Sequence, residues 1–163
     1  MLVLDLMRQD PRLAIFFVFL CVMALTAHEF AHAWAAQYCG DDTARLMGRL
    51  TLNPLAHLDL LGTILILIVG FGWARPVPVN PLNFRHYRRD DILVSVAGPA
   101  VNLGLAVILA IVVRAMVKSA PQGGPMLATA GFLAAYGVSL NVALAIFNLL
   151  PLHPLDGSHV AEN

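Results

Sequence analysis

Charged side chains are scarce in this sequence, which argues against an ordinary water-soluble domain. Asp, Glu, Lys and Arg make up 12% of the 163 residues, whereas 59% are apolar and the mean hydropathy is +0.75. A soluble domain carries about 25% charged residues, because water must wet its surface. We therefore expect lipid to cover much of the surface, and the length favours a single domain.

The chain also lacks an excess of either charge, and it lacks a cysteine framework. Ten basic residues balance ten acidic residues, so there is no electrostatic basis for binding nucleic acid. The two cysteines, Cys21 and Cys39, do not have a spacing typical of a disulfide framework or of a metal knuckle. We therefore expect neither nucleic-acid binding nor redox chemistry.

Long apolar stretches are the main organising feature of the chain. Three of them predict membrane-spanning helices, at residues 13–39, 92–113 and 126–150. A fourth, at residues 59–72, has an apolar core of about ten residues, which favours a re-entrant or interfacial segment over a crossing. Pro76 and Pro78 then favour an extended loop. The predicted fold is an all-α integral membrane bundle with three full spans, one short segment and an extended proline-rich loop.

Basic residues favour one orientation of these spans. If residues 59–72 return to the side from which they enter, the loops at 40–58 and 73–91 share that side and carry six arginines. The opposite side then carries four basic residues. The positive-inside rule therefore favours the arginine-rich loops in the cytoplasm.

The most informative motif is an HExxH pattern, His28-Glu29-Phe30-Ala31-His32, in the first apolar stretch. Residues four apart project from one face of a helix, so both histidines can bind the same metal ion. Glu29 can take a proton from water at that metal, because zinc lowers the pKa of such water to about 7. The motif therefore predicts zinc-assisted hydrolysis.

Two other interpretations apply to this segment. HExxH patterns also occur by chance, but polar side chains without a partner at membrane depth would cost several kcal/mol. A signal peptide would begin with a basic region, which Asp5 and Asp10 interrupt here. Neither interpretation accounts for the spacing of the three polar residues, so we favour the metal site.

Catalytic zinc normally has three protein ligands, so a third ligand must come from elsewhere in the chain. Asp156 is the leading candidate, because prolines break the preceding helix and Gly157 lets the backbone approach another element closely. An aspartate that caps a turn before glycine is the other interpretation of this position. The sequence leaves four alternative ligands open, namely His57, Asp59, His153 and His159.

Four motifs in this order resemble the site-2 protease family, in particular its bacterial short-chain branch. They are HEFAH, GWARPVPVNP, AGPAVN and NLLPLHPLDG, which lie between residues 27 and 157. The resemblance implies an intramembrane zinc metalloprotease in which His28, His32 and Asp156 bind one zinc ion per chain. It also implies that Glu29 is the general base and that Asn148 contacts the substrate carbonyl, where its amide can stabilise an oxyanion.

The same resemblance implies partners and a location. The substrates would be membrane-anchored proteins cleaved in regulated intramembrane proteolysis, at a site toward the cytoplasmic face of a bacterial inner membrane. We treat residues 1–163 as a single membrane-embedded metalloprotease domain. Since such proteins usually continue beyond the aspartate-glycine motif, we expect the chain to lack one or more C-terminal helices.

Several further features have weaker assignments. Asn102, in AGPAVN, could hydrogen-bond to the first apolar helix, and we favour a packing role for it. The PVPVN segment offers strand edges to which an unwound substrate could add. His57 and Asp59 are predicted to lie in a solvated loop.

Two other functions stay open from the sequence alone. Intramembrane histidine and aspartate can form a transit site in a metal-ion carrier or channel, although a transporter more often has two related halves. An inactive family member acting as a membrane scaffold is the other alternative. A carrier has no need of Glu29, which distinguishes it from a protease.

Overall fold

The structure, a computed structural model, describes residues 2–119 and 124–162, and these are predominantly helical. The α-helices are α1 (Leu2–Gln9), α2 (Pro11–Cys39), α3 (Thr43–Leu46), α4 (Leu60–Val69), α5 (Tyr87–Ser119), α6 (Pro125–Asn148) and α7 (Asp156–Glu162). Single 3-10 turns lie at Pro54–Ala56 and Pro81–Asn83. In the described part of the chain there is no strand, and Leu58 and Ala74 form an isolated antiparallel bridge.

Helix α2 carries the HExxH motif and has a defined signal at each end. Asp10 caps its start by accepting a hydrogen bond from the backbone N–H of Arg12 (2.9 Å), and Pro11 occupies the first turn. Gly40 ends it with a φ of 109°, a left-handed conformation that glycine adopts without steric cost. The helix therefore runs without interruption through the motif, as its apolar pattern predicts.

In the part of the chain that the structure describes, three helical segments are long and apolar enough to cross a membrane, which confirms the predicted all-α fold. They are Pro11–Cys39, Tyr87–Lys118 and Thr129–Asn148. The fourth apolar stretch forms α4, whose 10 residues are too few for a crossing. Helix α5 begins at Tyr87 rather than at residue 92, because the Asp90 carboxylate accepts from the N–H of His86 (2.8 Å) and stabilises an extra charged turn.

Helix α5 lies between α2 and α6 and packs against both. At the α2 contact, Ala35, Ala36 and Cys39 form a buried cluster with Val94 of α5. Helices in lipid associate through close packing of small side chains, since apolar groups gain little by leaving an apolar solvent. The small residues of α2 therefore let α5 approach the face that carries the two histidines.

The proline-rich segment, residues 74–83, follows α4 and is anchored on both sides. The N–H of Arg75 donates to the His57 carbonyl (2.7 Å), and the N–H of Asn80 donates to the Asp41 carboxylate (2.7 Å). Asp41 is fully buried. Burial opposes its ionisation, but the hydrogen bonds that it accepts hold its pKa below the usual value. The segment has neither helix nor strand before its final 3-10 turn, as predicted.

Candidate metal centre

Two helices bring the three predicted ligands together. His28 and His32 lie one turn apart on α2, and their Nε2 atoms are 3.0 Å apart. Asp156, at the start of α7, places Oδ2 at 3.1 Å from Nε2 of His28 and at 3.2 Å from Nε2 of His32. Both histidines are buried and Asp156 is partly buried. Among the described residues these three form a cluster that could hold a metal ion.

The hydrogen bonds at the far side of each imidazole determine which nitrogen faces the cluster. His32 Nδ1 lies 2.7 Å from the Val94 carbonyl, which can only accept, so the Nδ1 atom carries the proton. His28 Nδ1 lies 2.6 Å from Oδ1 of Asn102. The Asn102 amide is oriented by its own donation to the Ala24 carbonyl (3.3 Å). With the proton of each ring on Nδ1, Nε2 directs an electron pair into the cluster.

This donor set fits a zinc ion. Tetrahedral zinc with bonds of about 2.0–2.1 Å places its ligand atoms about 3.3 Å apart, which is close to the 3.0, 3.1 and 3.2 Å between the three donor atoms. A carboxylate and two unprotonated imidazole nitrogens would repel one another without a cation between them.

Gly98 of α5 passes directly beside the two imidazoles. A Cβ atom built on Gly98 would lie 2.6 Å from Cε1 and 2.7 Å from Nε2 of His28, and closer still to Nε2 of His32. Real Cβ contacts are not this short, so only glycine leaves room for both rings at this position. The glycine of the AGPAVN motif therefore shapes the metal centre by having no side chain.

Glu29, the predicted general base, lies beside the ligand cluster and is not part of it. Its Oε2 atom accepts a hydrogen bond from the backbone N–H of Val77 in the proline-rich segment (2.9 Å). Glu29 and the three ligand residues all line a cavity of about 630 Å³. The carboxylate therefore faces the same space as the metal site.

Asn148, the predicted oxyanion donor, lies at the end of α6 and lines the same cavity. Its Nδ2 atom donates to the Leu144 carbonyl of its own helix (3.0 Å). One of the two amide N–H groups is used in this contact, which leaves the other for a further acceptor. The structure thus places Asn148 at the site, and its catalytic role stays a prediction.

Asn102 hydrogen-bonds to α2, as expected from the sequence, and its partners there are the candidate ligand His28 and the Ala24 carbonyl. It is fully buried, and it accepts from His28 while its Nδ2 donates to Oδ1 of Asn141 (2.8 Å). Asn141 in turn donates to the Gly137 carbonyl (2.9 Å). Sequence analysis missed Asn141, although an asparagine in an apolar helix is itself a signal of a polar contact at membrane depth.

Of the four alternative ligands, His159 lines the same cavity as the cluster, whereas His57, Asp59 and His153 are not among the lining residues. His57 is 1% exposed, with Nε2 at 2.8 Å from the Thr51 carbonyl, so the prediction of a solvated loop was wrong for this residue. Asp59 caps α4 by accepting from the N–H of Gly62 (2.9 Å). His159 faces Asp91 at 3.5 Å. Within residues 2–119 and 124–162, none of the four, His153 included, belongs to the metal-binding cluster.

Replacing Asn102 with leucine should weaken zinc binding by about 10–100-fold, because outer ligand partners of metal-bound histidines have effects of that size. Leucine removes the acceptor that holds the proton on Nδ1 of His28. The measurement is zinc affinity by competition with a chelator of known affinity. Asn102→Asp keeps an acceptor for His28 but loses the donations to Ala24 and Asn141, so it should retain more affinity than Asn102→Leu and less than wild type. Equal affinities of Asn102→Leu and wild type would contradict this role.

Comparison with known proteins identifies the family. The family model described as Peptidase family M50 matches residues 15–125. The chain belongs to peptidase family M50. This confirms the resemblance to site-2 proteases drawn from the four motifs.

Curated proteins named as putative zinc metalloproteases are similar along most of this chain. A Bacillus subtilis protein named "Putative zinc metalloprotease YwhC" is 47% identical over 156 residues, which cover 91% of this chain and 68% of that protein. Two proteins named "Putative zinc metalloprotease Rip2", from Mycolicibacterium smegmatis and Mycobacterium tuberculosis, are each 36% identical. Those alignments cover 86% of this chain and 54% of each relative. No solved structure matches the chain.

Proposed function

We propose that this M50 protein is an intramembrane zinc endopeptidase that hydrolyses peptide bonds of membrane-spanning substrates. The observation that carries the proposal is the convergence of two imidazole nitrogens and one carboxylate oxygen at a cavity that Glu29 also lines. The helices that form this cavity include three segments long and apolar enough to cross a membrane. Family membership and the names of the relatives support metal-dependent proteolysis.

The three clustered residues, His28, His32 and Asp156, would hold one zinc ion per chain through the atoms that face one another. When bound there, zinc supplies a Lewis acid that polarises a carbonyl and lowers the pKa of water to about 7. Glu29 accepts the proton that the attacking water loses as its oxygen bonds to the scissile carbonyl carbon. Glu29 then donates that proton to the amide nitrogen as the C–N bond breaks.

Asn148 is suited to stabilise the substrate oxygen during this reaction. One N–H of its amide donates to the Leu144 carbonyl, which anchors the side chain at the cavity wall. The second N–H can donate to the oxyanion that develops when the carbonyl is attacked. A donor already held in place needs little reorganisation at the moment of reaction.

The walls of the cavity support a membrane-anchored protein as the substrate. Apart from the polar site residues, its lining is mainly apolar and includes Leu25, Phe71, Val94, Leu144 and Phe147. Such walls suit an apolar peptide segment, which must unwind locally before its peptide bonds become accessible. The arginine-rich loops favour a site toward the cytoplasmic face of a bacterial inner membrane.

Removal of zinc tests the proposed function. The protein is reconstituted in liposomes with a panel of synthetic single-span peptides, and cleavage is followed by mass spectrometry. Cleavage should fall to background after chelation and return when zinc is added, because the ligand cluster supplies the metal that activates water. Asp156→Ala should stay inactive after zinc addition.

An aspartate outside the cavity provides the control. The Asp42 side chain is 48% exposed and pairs with Arg45 at 2.9 Å, so Asp42→Ala should respond to zinc as the wild type does. Cleavage that persists when metal analysis finds no zinc would contradict the mechanism. A zinc-loaded protein that cleaves none of the peptides would favour the carrier or the scaffold instead.

A further inference from the structure

Arg49 is a buried cation in the linker between α3 and α4. The residue is 7% exposed, and its guanidinium donates through Nη2 to the backbone carbonyls of Arg75 and of Pro76, the latter at 3.2 Å. Among the described residues, its Nε atom has no hydrogen-bond partner. A buried charge is costly unless it is paired, so the position of Arg49 calls for an explanation beyond a solvated loop.

One of the two carbonyls that Arg49 binds, that of Pro76, belongs to the same peptide group as the N–H that donates to Glu29. The peptide bond between Pro76 and Val77 contributes its oxygen to Arg49 and its N–H to Oε2 of Glu29, at 2.9 Å. This group is planar and rigid, so holding its oxygen on one side directs its N–H to the other. Arg49 and Glu29 therefore form hydrogen bonds with opposite sides of the same peptide group.

Neighbouring contacts leave this peptide group little freedom. Pro76 and Pro78 each restrict their own backbone torsion. The N–H of Arg75 is bonded to the His57 carbonyl (2.7 Å). The orientation of the Val77 N–H therefore depends on the hydrogen bond between Arg49 and the Pro76 carbonyl.

Charge supports the same geometry. Burial lowers the pKa of Arg49, and the negative charge of Glu29 opposes that shift by favouring the charged guanidinium. The two side chains therefore interact electrostatically across the proline-rich segment.

We propose that Arg49 is a positioning residue for Glu29, acting through the Pro76–Val77 peptide group. Arg49 holds the peptide oxygen, the peptide N–H holds one carboxylate oxygen of Glu29, and the other oxygen is left to face the cavity. The inference rests on the proposed function for its catalytic consequence, but the positioning itself can be measured without cleavage.

The test compares Arg49→Met and Arg49→Lys with wild type, and Arg45→Met serves as the control on a nearby exposed arginine whose side chain is 53% exposed. Hydrogen exchange of the segment between Pro76 and Pro81 reports on few amides, which include Val77, because proline has no N–H. Bound zinc, kcat and KM are measured on the same preparations, with the synthetic single-span peptides as substrates.

In Arg49→Met, the N–H of Val77 should exchange its hydrogen faster than in wild type. The value of kcat should fall by about 10–100-fold, the range typical of an outer partner of a metal site. Zinc content and KM should change little, because Arg49 is neither a candidate metal ligand nor one of the residues that line the cavity. Arg49→Lys should recover part of the loss through one retained donor, and Arg45→Met should match the wild type.

Unchanged exchange of the Val77 amide in both Arg49 variants would overturn the inference, whatever the activity. Loss of zinc in both variants would overturn it as well, because Arg49 would then support the fold rather than Glu29. If wild type cleaves none of the peptides, the proposed function fails, and exchange still decides whether Arg49 orients the peptide group.

Discussion

Glu29→Gln should lower the rate of peptide cleavage by about 10²–10⁴-fold while zinc stays bound, which is the contribution typical of a general base. Glutamine has nearly the shape of glutamate, and its amide oxygen can still accept the hydrogen bond from Val77. It cannot take a proton from the attacking water at neutral pH. The substitution therefore removes the chemistry of the residue and keeps its position.

Zinc retention is expected because Glu29 lies outside the ligand cluster of His28, His32 and Asp156. The measurement is cleavage of the synthetic peptides at equal zinc content in wild type and variant. Glu162 is the other glutamate in the sequence, and Glu162→Gln provides a control of identical chemistry that should cleave normally.

The same comparison separates the protease from its alternatives. A carrier that moves metal ions through the histidine and aspartate site would not require Glu29, so Glu29→Gln would leave transport largely intact. Equal behaviour of wild type and Glu29→Gln, with zinc bound in both, would count against the protease and in favour of the carrier or the scaffold.

Gly98→Ala is expected to reduce bound zinc by at least about tenfold, which is the low end of effects seen when partners of metal ligands are altered. The added methyl group would lie 2.6 Å from Cε1 of His28 and closer to Nε2 of His32. Neither ring can move aside without breaking the hydrogen bond of its Nδ1 atom. That bond joins His28 to Asn102 and His32 to the Val94 carbonyl. Either the rings turn away from the cluster or α5 moves away from α2.

Zinc content by metal analysis checks this prediction, and cleavage should fall with it. Gly104→Ala is the matched control on the same helix, because no atom lies within 4 Å of a Cβ atom built there. Normal zinc content in Gly98→Ala would show that the two helices can separate without cost, which would contradict the close packing described here.

The helices and the first two ligands were predictable because both depend on local periodicity. A run of apolar residues long enough for a bilayer indicates a span wherever it occurs, and residues four apart share a helix face whatever the rest of the chain does. For the same reason His28, Glu29 and His32 could be assigned together. The start of α5 was misplaced because its first turn consists of charged residues, stabilised by a contact between Asp90 and His86.

Contacts between distant residues were not predictable in the same way. Asp156 was one of five candidate ligands on spacing alone, and Asn102 and Arg49 act through partners that are 74 and 26 or 27 residues away. No local pattern encodes such pairs, because they exist only once α5 packs on α2 and the proline-rich segment is anchored. The burial of His57 likewise follows from its contact with Thr51, which the loop composition did not reveal.

The sequence by itself therefore determined the class of the molecule: an all-helical, lipid-facing chain with a metal-binding motif on its first long helix. Composition and helical periodicity are sufficient for this, since they act residue by residue along the chain. Only the tertiary structure showed which carboxylate lies with the two histidines in the candidate metal site, which backbone position has no room for a side chain, and which peptide group donates to Glu29. Those choices depend on distances of a few ångströms between separate segments, which close helix packing sets and which sequence spacing does not contain.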